Sequence, residues 1–583
     1  MILYKNIVEV IQHNAESNPT GTAYQWLDRG ETEGESFSFS ELYESVKSIS
    51  AKIDYKLRNS EPRQKIVLMF EPSLEFISVL FGCMAAQHIG VPVSQVKPDA
   101  DILKVKNVIL DSGAILVLTS ERYKATAEEI IQSLGLSNVE VCSMSDLKEK
   151  GRECTPSKIE ANETAFYQYT SGSTGQSKGV EVTHQNIMCN QAMIKEGFQH
   201  SEQTVFVGWL PLYHDMGLIG NVMQPLFLGI PCYLMSPFSF VQKPIRWLQA
   251  ISKYRATTSG GPNFGYDLCV SRIDHSQCDS LDLSSWSVAY NGSEPVRADT
   301  LQKFSDKFAR YGFDHNAHFP CYGMAESTLF VTGSIDPPKF TKFCSESIRN
   351  KKAVLLSGDH EGEGLTLVSC GVPSFGQKVV IVNPKKRIEL EELEIGEIWV
   401  QGENVAKSYI NKKDLTEQSL YARIEGEASE KSTFLRTGDL GFLSQGELYV
   451  TGRIKDLIII RGKNYYPHDI ERSVSLVAEE LESLPSAAIY DDSSKEKLVV
   501  LQEVGRSHMG TIDVEALTKK AKLVVNRHHD ITLAEILFLK PNSIPRTTSG
   551  KVRRQECLRR YQNREFDSRV IRPLSEVEAT LSE

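Results

Sequence analysis

No Cys-x-x-Cys pair occurs among the eleven cysteines of this chain, no uninterrupted apolar run is long enough to cross a bilayer, and positive charge is in deficit. Each absence removes a class. Scattered thiols in odd number give neither a disulfide framework nor a paired-cysteine zinc site, and read as reduced cysteines of a cytoplasmic protein. The most apolar stretch, 76–93, is interrupted by Gln87 and His88. The phase of Phe76, Ile77, Val79 and Leu80 within it fits a buried helix better than a membrane span. The first residues lack the basic region, apolar core and cleavage site of a secretory signal, so the expectation is a soluble, cytoplasmic protein with no transmembrane segment. A net charge of −10 disfavours a dedicated nucleic-acid binder, whose affinity would lean on a basic surface. Internal repeats and low-complexity segments are also missing.

What is present is globular in composition, with 41% hydrophobic and 24% charged residues. At 583 residues the chain exceeds a single core and is expected to form two or more domains. Its most informative segment is Tyr169-Thr-Ser-Gly-Ser-Thr-Gly-Gln-Ser-Lys178-Gly179, which follows the apolar Ala165-Phe166-Tyr167. Glycines let the backbone turn N–H groups toward an anion, hydroxyls add donors and the lysine adds a mobile charge, which suits a polyphosphate. A P-loop is excluded: Ser177 precedes Lys178 and Gly179 follows it, so no hydroxyl stands where that motif places its magnesium ligand. An ordinary Gly/Ser loop is the plain alternative for this segment alone.

Strand-like runs alternate with helical patterns. Ile66-Val-Leu-Met-Phe70 precedes Ser73 as a helix N-cap, and 115–118, 166–170 and 286–290 continue the strands. Such alternation implies doubly wound parallel sheets with ligands gathered at the carboxyl ends of the strands. After Val450 the elements shorten, enough for a separate α+β domain of 455–583 behind a larger unit of 1–454, with a hinge near Lys455. Residues 546–564 carry seven Lys/Arg against Glu556, either a solvated face or a docking patch for an acidic partner.

Six further segments follow the loop in order: Trp209-Leu-Pro-Leu-Tyr-His214-Asp-Met-Gly217, Gly260-Gly-Pro-Asn-Phe264, Asn291-Gly-Ser-Glu-Pro295, Tyr322-Gly-Met-Ala-Glu326, Arg436-Thr-Gly-Asp439 with Gly452-Arg453-Ile-Lys455-Asp456, and Pro545-Arg-Thr-Thr-Ser-Gly-Lys551. The series resembles the adenylate-forming superfamily of acyl-CoA synthetases, peptide-synthetase adenylation domains and luciferases, and within it the fatty acyl-AMP ligases. The ligase features are 213–218, 260–264, Gly462-Lys-Asn-Tyr-Tyr-Pro467, and an extra segment at about 341–356 that is implicated in discouraging the rotated, CoA-using state. Leu212, where relatives often carry proline, is a small departure.

The resemblance implies a large adenylate-forming domain with doubly wound sheets and a small β-barrel-like subdomain, followed by a mobile α+β domain. It implies fatty acid activation by ATP to acyl-AMP with release of pyrophosphate, then transfer to the phosphopantetheine thiol of a separate acyl carrier protein. By carry-over, Thr170, Ser171, Gly172, Ser173, Thr174, Gly175 and Lys178 hold the β- and γ-phosphates, and Glu326 ligates Mg²⁺. Tyr322 stacks on adenine, Gly323, Met324 and Ala325 continue the nucleotide segment, and Asn291, Gly292 and Ser293 flank the base. Asp439 accepts from the ribose with help from Arg453, and Lys551 bridges carboxylate and α-phosphate. His214 either lines the carboxylate end of the acyl pocket or braces its loop. Met216, Ile219 and Met223 either line the acyl tunnel or pack as core. The rival readings are an acyl-CoA synthetase, an amino-acid adenylation domain using Asp215 for the ammonium group, and a silent nucleotide-binding scaffold.

Overall fold

The computed structural model describes residues 4–571 apart from 97–101, 149, 151–157, 172–176, 335, 357–363, 427–431, 483, 494–495 and 548–549. Two large sheets dominate a mixed α/β fold. In a nine-stranded sheet, Phe206–Gly208, Thr258–Gly260, Val288–Asn291 and His318–Gly323 lie parallel and adjacent, so their carboxyl ends share one edge. A seven-stranded sheet pairs Lys65–Phe70, Ile89–Ser94 and Leu116–Thr119 in parallel and ends in an antiparallel hairpin, Thr164–Ser171 with Ser177–Thr183.

The apolar run 76–93 is two elements rather than one helix. Helix Leu74–Ala85 is capped by Ser73, whose Oγ accepts from the Phe76 amide at 3.3 Å, and all of its residues except Glu75 are buried. Gln87 then takes a left-handed conformation with φ of 58°, and the chain leaves as strand Ile89–Ser94. His88 secures the turn by accepting from the Gln64 amide at 3.0 Å. Apolar content alone does not separate a buried helix from a buried strand, which is why the break was not visible in the run. Behind the strand ends, the fully buried Trp247 meets Trp209 and Trp286 edge-on, at centroid distances of 5.7 and 5.2 Å. This aromatic block gives the loops a rigid floor.

A four-stranded antiparallel sheet follows, built from Lys378–Val382, Gly396–Gln401, Leu435–Ser444 and Glu447–Arg453. From Ile458 onward the chain forms its own apolar clusters around the three-stranded sheet of Ser486–Asp491, Lys497–Glu503 and Leu533–Leu539. Helices Pro467–Ser475, Val514–His529 and Arg554–Gln562 pack on that sheet. Within 341–356, strand Phe340–Cys344 and helix Ser345–Arg349 place Phe343 and Ile348 in a cluster with Phe442, Tyr449 and Tyr466. Arg349 donates to the His528 carbonyl at 2.8 Å and lies 5.5 Å from the Tyr465 ring, while Lys463 pairs with Glu346 at 3.2 Å. The extra segment therefore grips the C-terminal part directly.

Three of the seven basic residues in 546–564 pair with acids within the fold. Arg554 donates from Nε and Nη2 to the two oxygens of Glu471, both at 2.7 Å, and Arg559 and Arg560 pair with Glu556 and Glu565. Glu471 is 9% exposed and also accepts from the Ala488 amide at 2.8 Å. Arg554→Ala therefore strands a buried carboxylate and is expected to destabilise the chain by about 3 kcal/mol. Urea unfolding followed by far-UV circular dichroism measures it, and a loss under about 1 kcal/mol would contradict the assignment.

Candidate active site

Three loops leave adjacent parallel strands at one edge. Strand register sets Gly260 beside Tyr290 and Asn291 beside Pro320, so Gly261, Gly292 and Gly323 emerge close together. At Gly323 a Cβ would stand 1.9 Å from the Leu329 carbonyl oxygen, an approach that only glycine permits. Asn291 is fully buried; its Nδ2 donates to Asn263 Oδ1 at 3.3 Å and its Oδ1 has no donor among the described residues. Asn263 also accepts from the Arg297 amide at 3.2 Å and donates to the Pro295 carbonyl at 2.9 Å. The asparagine of the Gly-Gly-Pro-Asn segment thus braces the 291–297 loop, in which Ser293 sits at φ of 76°.

Tyr322, at the end of its strand, donates its hydroxyl to Asp439 Oδ2 at 2.8 Å. Asp439 and Arg453 are register partners, and Arg453 Nε donates to Asp439 Oδ1 at 2.8 Å. Asp439 thereby ties the nine-stranded sheet to the four-stranded one with both oxygens. Its charge raises the Arg453 pKa, and burial, reinforced by that carboxylate, keeps the Tyr322 phenol protonated.

Glu326 sits in a single turn, Ala325–Ser327, and is 9% exposed. Its Oε1 accepts from the Tyr409 hydroxyl at 2.8 Å, and Oε2 has no donor among the described residues. The following Thr328 has φ of 66°, and its hydroxyl donates to the Asn404 carbonyl at 2.7 Å. Asn404 returns a hydrogen bond to the Ser327 carbonyl at 2.8 Å, so the segment around 404–409 clamps the turn. No group of three or more His, Cys, Asp or Glu able to hold a metal occurs among the described residues. A single carboxylate with one open oxygen fits a hard cation that takes its remaining ligands from phosphate and water.

The hydroxyl-rich loop spans the hairpin noted above, in which Thr170 pairs with Lys178. Gly172, Ser173, Thr174 and Gly175 lie outside the described residues, as does the side chain of Ser171. Lys178 Nζ stands 5.0 Å from the Tyr409 ring centroid. Burial and the charges of Lys455, Lys412 and Arg453 lower the Lys178 pKa, against the pull of Glu326.

His214 Nδ1 lies 3.5 Å from Asp215 Oδ1, which also caps the Met216 amide at 2.8 Å. Burial works to raise the Asp215 pKa, but His214, Lys551 and that amide outweigh it and hold the carboxyl low. Lys551 is solvent-exposed by surface area; desolvation by nearby protein and the charge of Arg453 lower its pKa, while Asp215, Glu294 and Asp439 pull the other way. The fields of four other segments thus meet at this lysine. Residues Met216–Met223 form a π-helix, with Ile219 O accepting from the Gln224 amide. Ile219 and Met223 are fully packed in the main core, and Met216 is half-buried beside it.

The sequence reading missed Tyr409 and Lys412, since Ala406-Lys-Ser-Tyr-Ile-Asn411 carries no pattern that marks it as a site. It also missed Asn263 as a brace. No helix among the described residues is long and apolar enough to cross a membrane.

A family model described as AMP-binding enzyme matches residues 11–410, and one described as the AMP domain of Disco-interacting protein 2-like proteins matches 455–569. The chain is 36% identical to the medium-chain-fatty-acid–[acyl-carrier-protein] ligase TtuA of Teredinibacter turnerae, covering 93% of this chain and 91% of the relative. It is also 36% identical to the like-named ligase JamA of Moorena producens, covering 95% and 94%. A crystal structure of fatty acyl-adenylate ligase from L. pneumophila with acyl adenylate and pyrophosphate aligns with a TM-score of 0.74, 34% identity and 98% coverage of both chains.

Gly323→Ala places its methyl group against the Leu329 carbonyl and displaces the turn bearing Glu326. A destabilisation of about 1–3 kcal/mol is expected. An unchanged thermal midpoint would show that the turn tolerates a side chain.

Proposed function

The chain belongs to the AMP-binding enzyme family, in its fatty acyl-AMP ligase branch, and from that membership we propose how its site works. The enzyme activates a fatty acid with ATP: a carboxylate oxygen attacks the α-phosphorus, the bond to the bridging β-phosphate oxygen breaks, and acyl-AMP and pyrophosphate result. Both reactants are anionic, so catalysis consists of charge compensation and alignment. The observation carrying this reading is that Lys178, Glu326, Asp439 and Lys551, from four distant segments, all lie within electrostatic reach of Arg453.

In this reading Thr170–Gly175 and Lys178 hold the β- and γ-phosphates, and Asp439 with Arg453 takes the ribose. Tyr322 to Ala325 and Asn291 to Ser293 flank the adenine. Glu326 offers its open oxygen to Mg²⁺, which when bound screens the phosphate charge. Lys551 lies between the incoming carboxylate and the α-phosphate, with His214 and Asp215 at the acyl entrance and Met216 the most accessible of the tunnel candidates. The α+β part of 455–583 turns about a hinge near Lys455 after adenylation. The acyl group then passes to the phosphopantetheine thiol of a separate acyl carrier protein, as the names of the two bacterial relatives indicate for those proteins. The ten free cysteines among the described residues suit a reducing cytoplasm.

Lys551→Ala is expected to lower the adenylation rate by about 10²–10³, with AMP affinity little changed. Pyrophosphate release measures it, and a rate within about threefold of the parent would remove Lys551 from the mechanism.

The grip of Arg349 and Glu346 on the C-terminal part opposes the rotated orientation. The expected products with ATP, a fatty acid and CoA are persistent acyl-AMP and little acyl-CoA, whereas holo-carrier consumes the adenylate. Arg349→Ala with Glu346→Ala is expected to raise acyl-CoA formation about tenfold by loosening that grip. Efficient acyl-CoA formation by the unaltered enzyme would instead make it an acyl-CoA synthetase.

A further inference from the structure

Lys178 and Glu326 carry opposite charge and both contact Tyr409, yet no ion pair joins them among the described residues. Two such groups would be expected to collapse onto one another in the empty site, neutralising both the metal ligand and the phosphate lysine. Tyr409 stands between them. Its hydroxyl donates to Glu326 Oε1 at 2.8 Å, and its ring receives the Lys178 ammonium at 5.0 Å from the centroid.

The backbone makes this placement firm. Strand Ser408–Tyr409 pairs with the Lys178 strand, Tyr409 beside Val180 and Ser408 beside Glu181. The Ile410 amide donates to the Gly179 carbonyl at 2.9 Å. The same segment holds the Glu326 turn, because the Ala406 amide donates to the Glu326 carbonyl at 2.8 Å. Tyr409 is 5% exposed and its amide donates to Thr416 Oγ1 at 3.0 Å, so both its ring and its backbone are held. One short strand is thus referenced to the lysine strand and to the carboxylate turn at once.

We infer that Tyr409 is a positioning residue that keeps Lys178 and Glu326 apart, its ring parking the ammonium and its hydroxyl fixing one carboxylate oxygen so that the other stays open to the cation of the nucleotide. This rests on Glu326 as the metal ligand. The hydroxyl and the ring have separable duties. Tyr409→Phe frees the carboxylate but keeps the cation on the ring; Tyr409→Leu removes both restraints and lets Lys178 pair with Glu326.

The test is Mn²⁺ titration of the full chain in the presence of a non-hydrolysable ATP analogue, followed by electron paramagnetic resonance, alongside metal-free AMP binding and the Mg²⁺ dependence of adenylation. Y409F is expected to weaken Mn²⁺ binding about tenfold, the loss of one charge-assisted hydrogen bond. AMP binding without metal should hold within about twofold, and the rate at saturating Mg²⁺ within about threefold. Y409L should weaken Mn²⁺ further, and adding Lys178→Gln should restore it toward the Y409F value, since no cation then competes for Glu326. A merely structural tyrosine would lower the melting temperature and AMP binding together and show no such rescue. Mn²⁺ affinity unchanged in Y409F while Glu326→Gln weakens it overturns the inference and spares the metal assignment. Unchanged affinity in Glu326→Gln overturns that assignment itself. Should Y409L fail to fold, Y409F against Glu326→Gln decides alone.

Discussion

Lys178 lies within electrostatic reach of Lys412, Lys455 and Arg453, and Arg453 in turn of Lys551, and repulsion within this cationic group is the constraint around which the rest is arranged. Partial burial lowers the Lys178 pKa and Arg453 works in the same direction on the exposed Lys551, so bringing these cations together costs free energy. Holding such a site open requires backbone that does not yield. That backbone comes from parallel strands ending on a common edge, backed by fully buried tryptophans, and from glycines where two chains pass closer than a side chain allows.

Two carboxylates manage the surplus of positive charge differently. Asp439 commits both oxygens, to Tyr322 and to Arg453, and in doing so fastens two sheets together. Glu326 commits only one among the described residues, to Tyr409. A fully satisfied carboxylate is a rigid acceptor at the edge of a site, whereas a half-satisfied one has capacity for a cation. The difference follows from place: Asp439 is held across an antiparallel strand pair opposite Arg453, while Glu326 sits on a single turn whose neighbour Thr328 adopts a left-handed backbone.

The C-terminal part shows how little a charge run means before its partners are known. Residues 546–564 read as a basic patch, yet Arg554 is an internal strut on Glu471 and Arg559 and Arg560 are neutralised by Glu556 and Glu565. Arg349, which does reach this part, comes from a segment 179 residues before its partner His528 and meets the carbonyl end of helix Val514–His529. Cations at that end of a helix are favoured by its dipole.

The alternation of strand and helix, the α+β change of texture after Val450 and the ordered series of motifs were legible in the sequence, because each depends on local spacing: two- and 3.6-residue periods, glycine at turns, hydroxyls beside a lysine. Those local signals were sufficient to place the chain in its family and to nominate Lys178, Glu326, Asp439 and Lys551. Other features needed the folded chain. The run 76–93 divides at Gln87 because of one left-handed residue. Met216–Met223 winds as a π-helix, a change in hydrogen-bond register that hydropathy does not encode. Tyr409 lies between Lys178 and Glu326 only because Ser408–Tyr409 adds to the edge of the hairpin strand Ser177–Thr183. Sequence spacing carries information along one element, whereas a site assembled by strand pairing between distant segments exists only once those strands have paired.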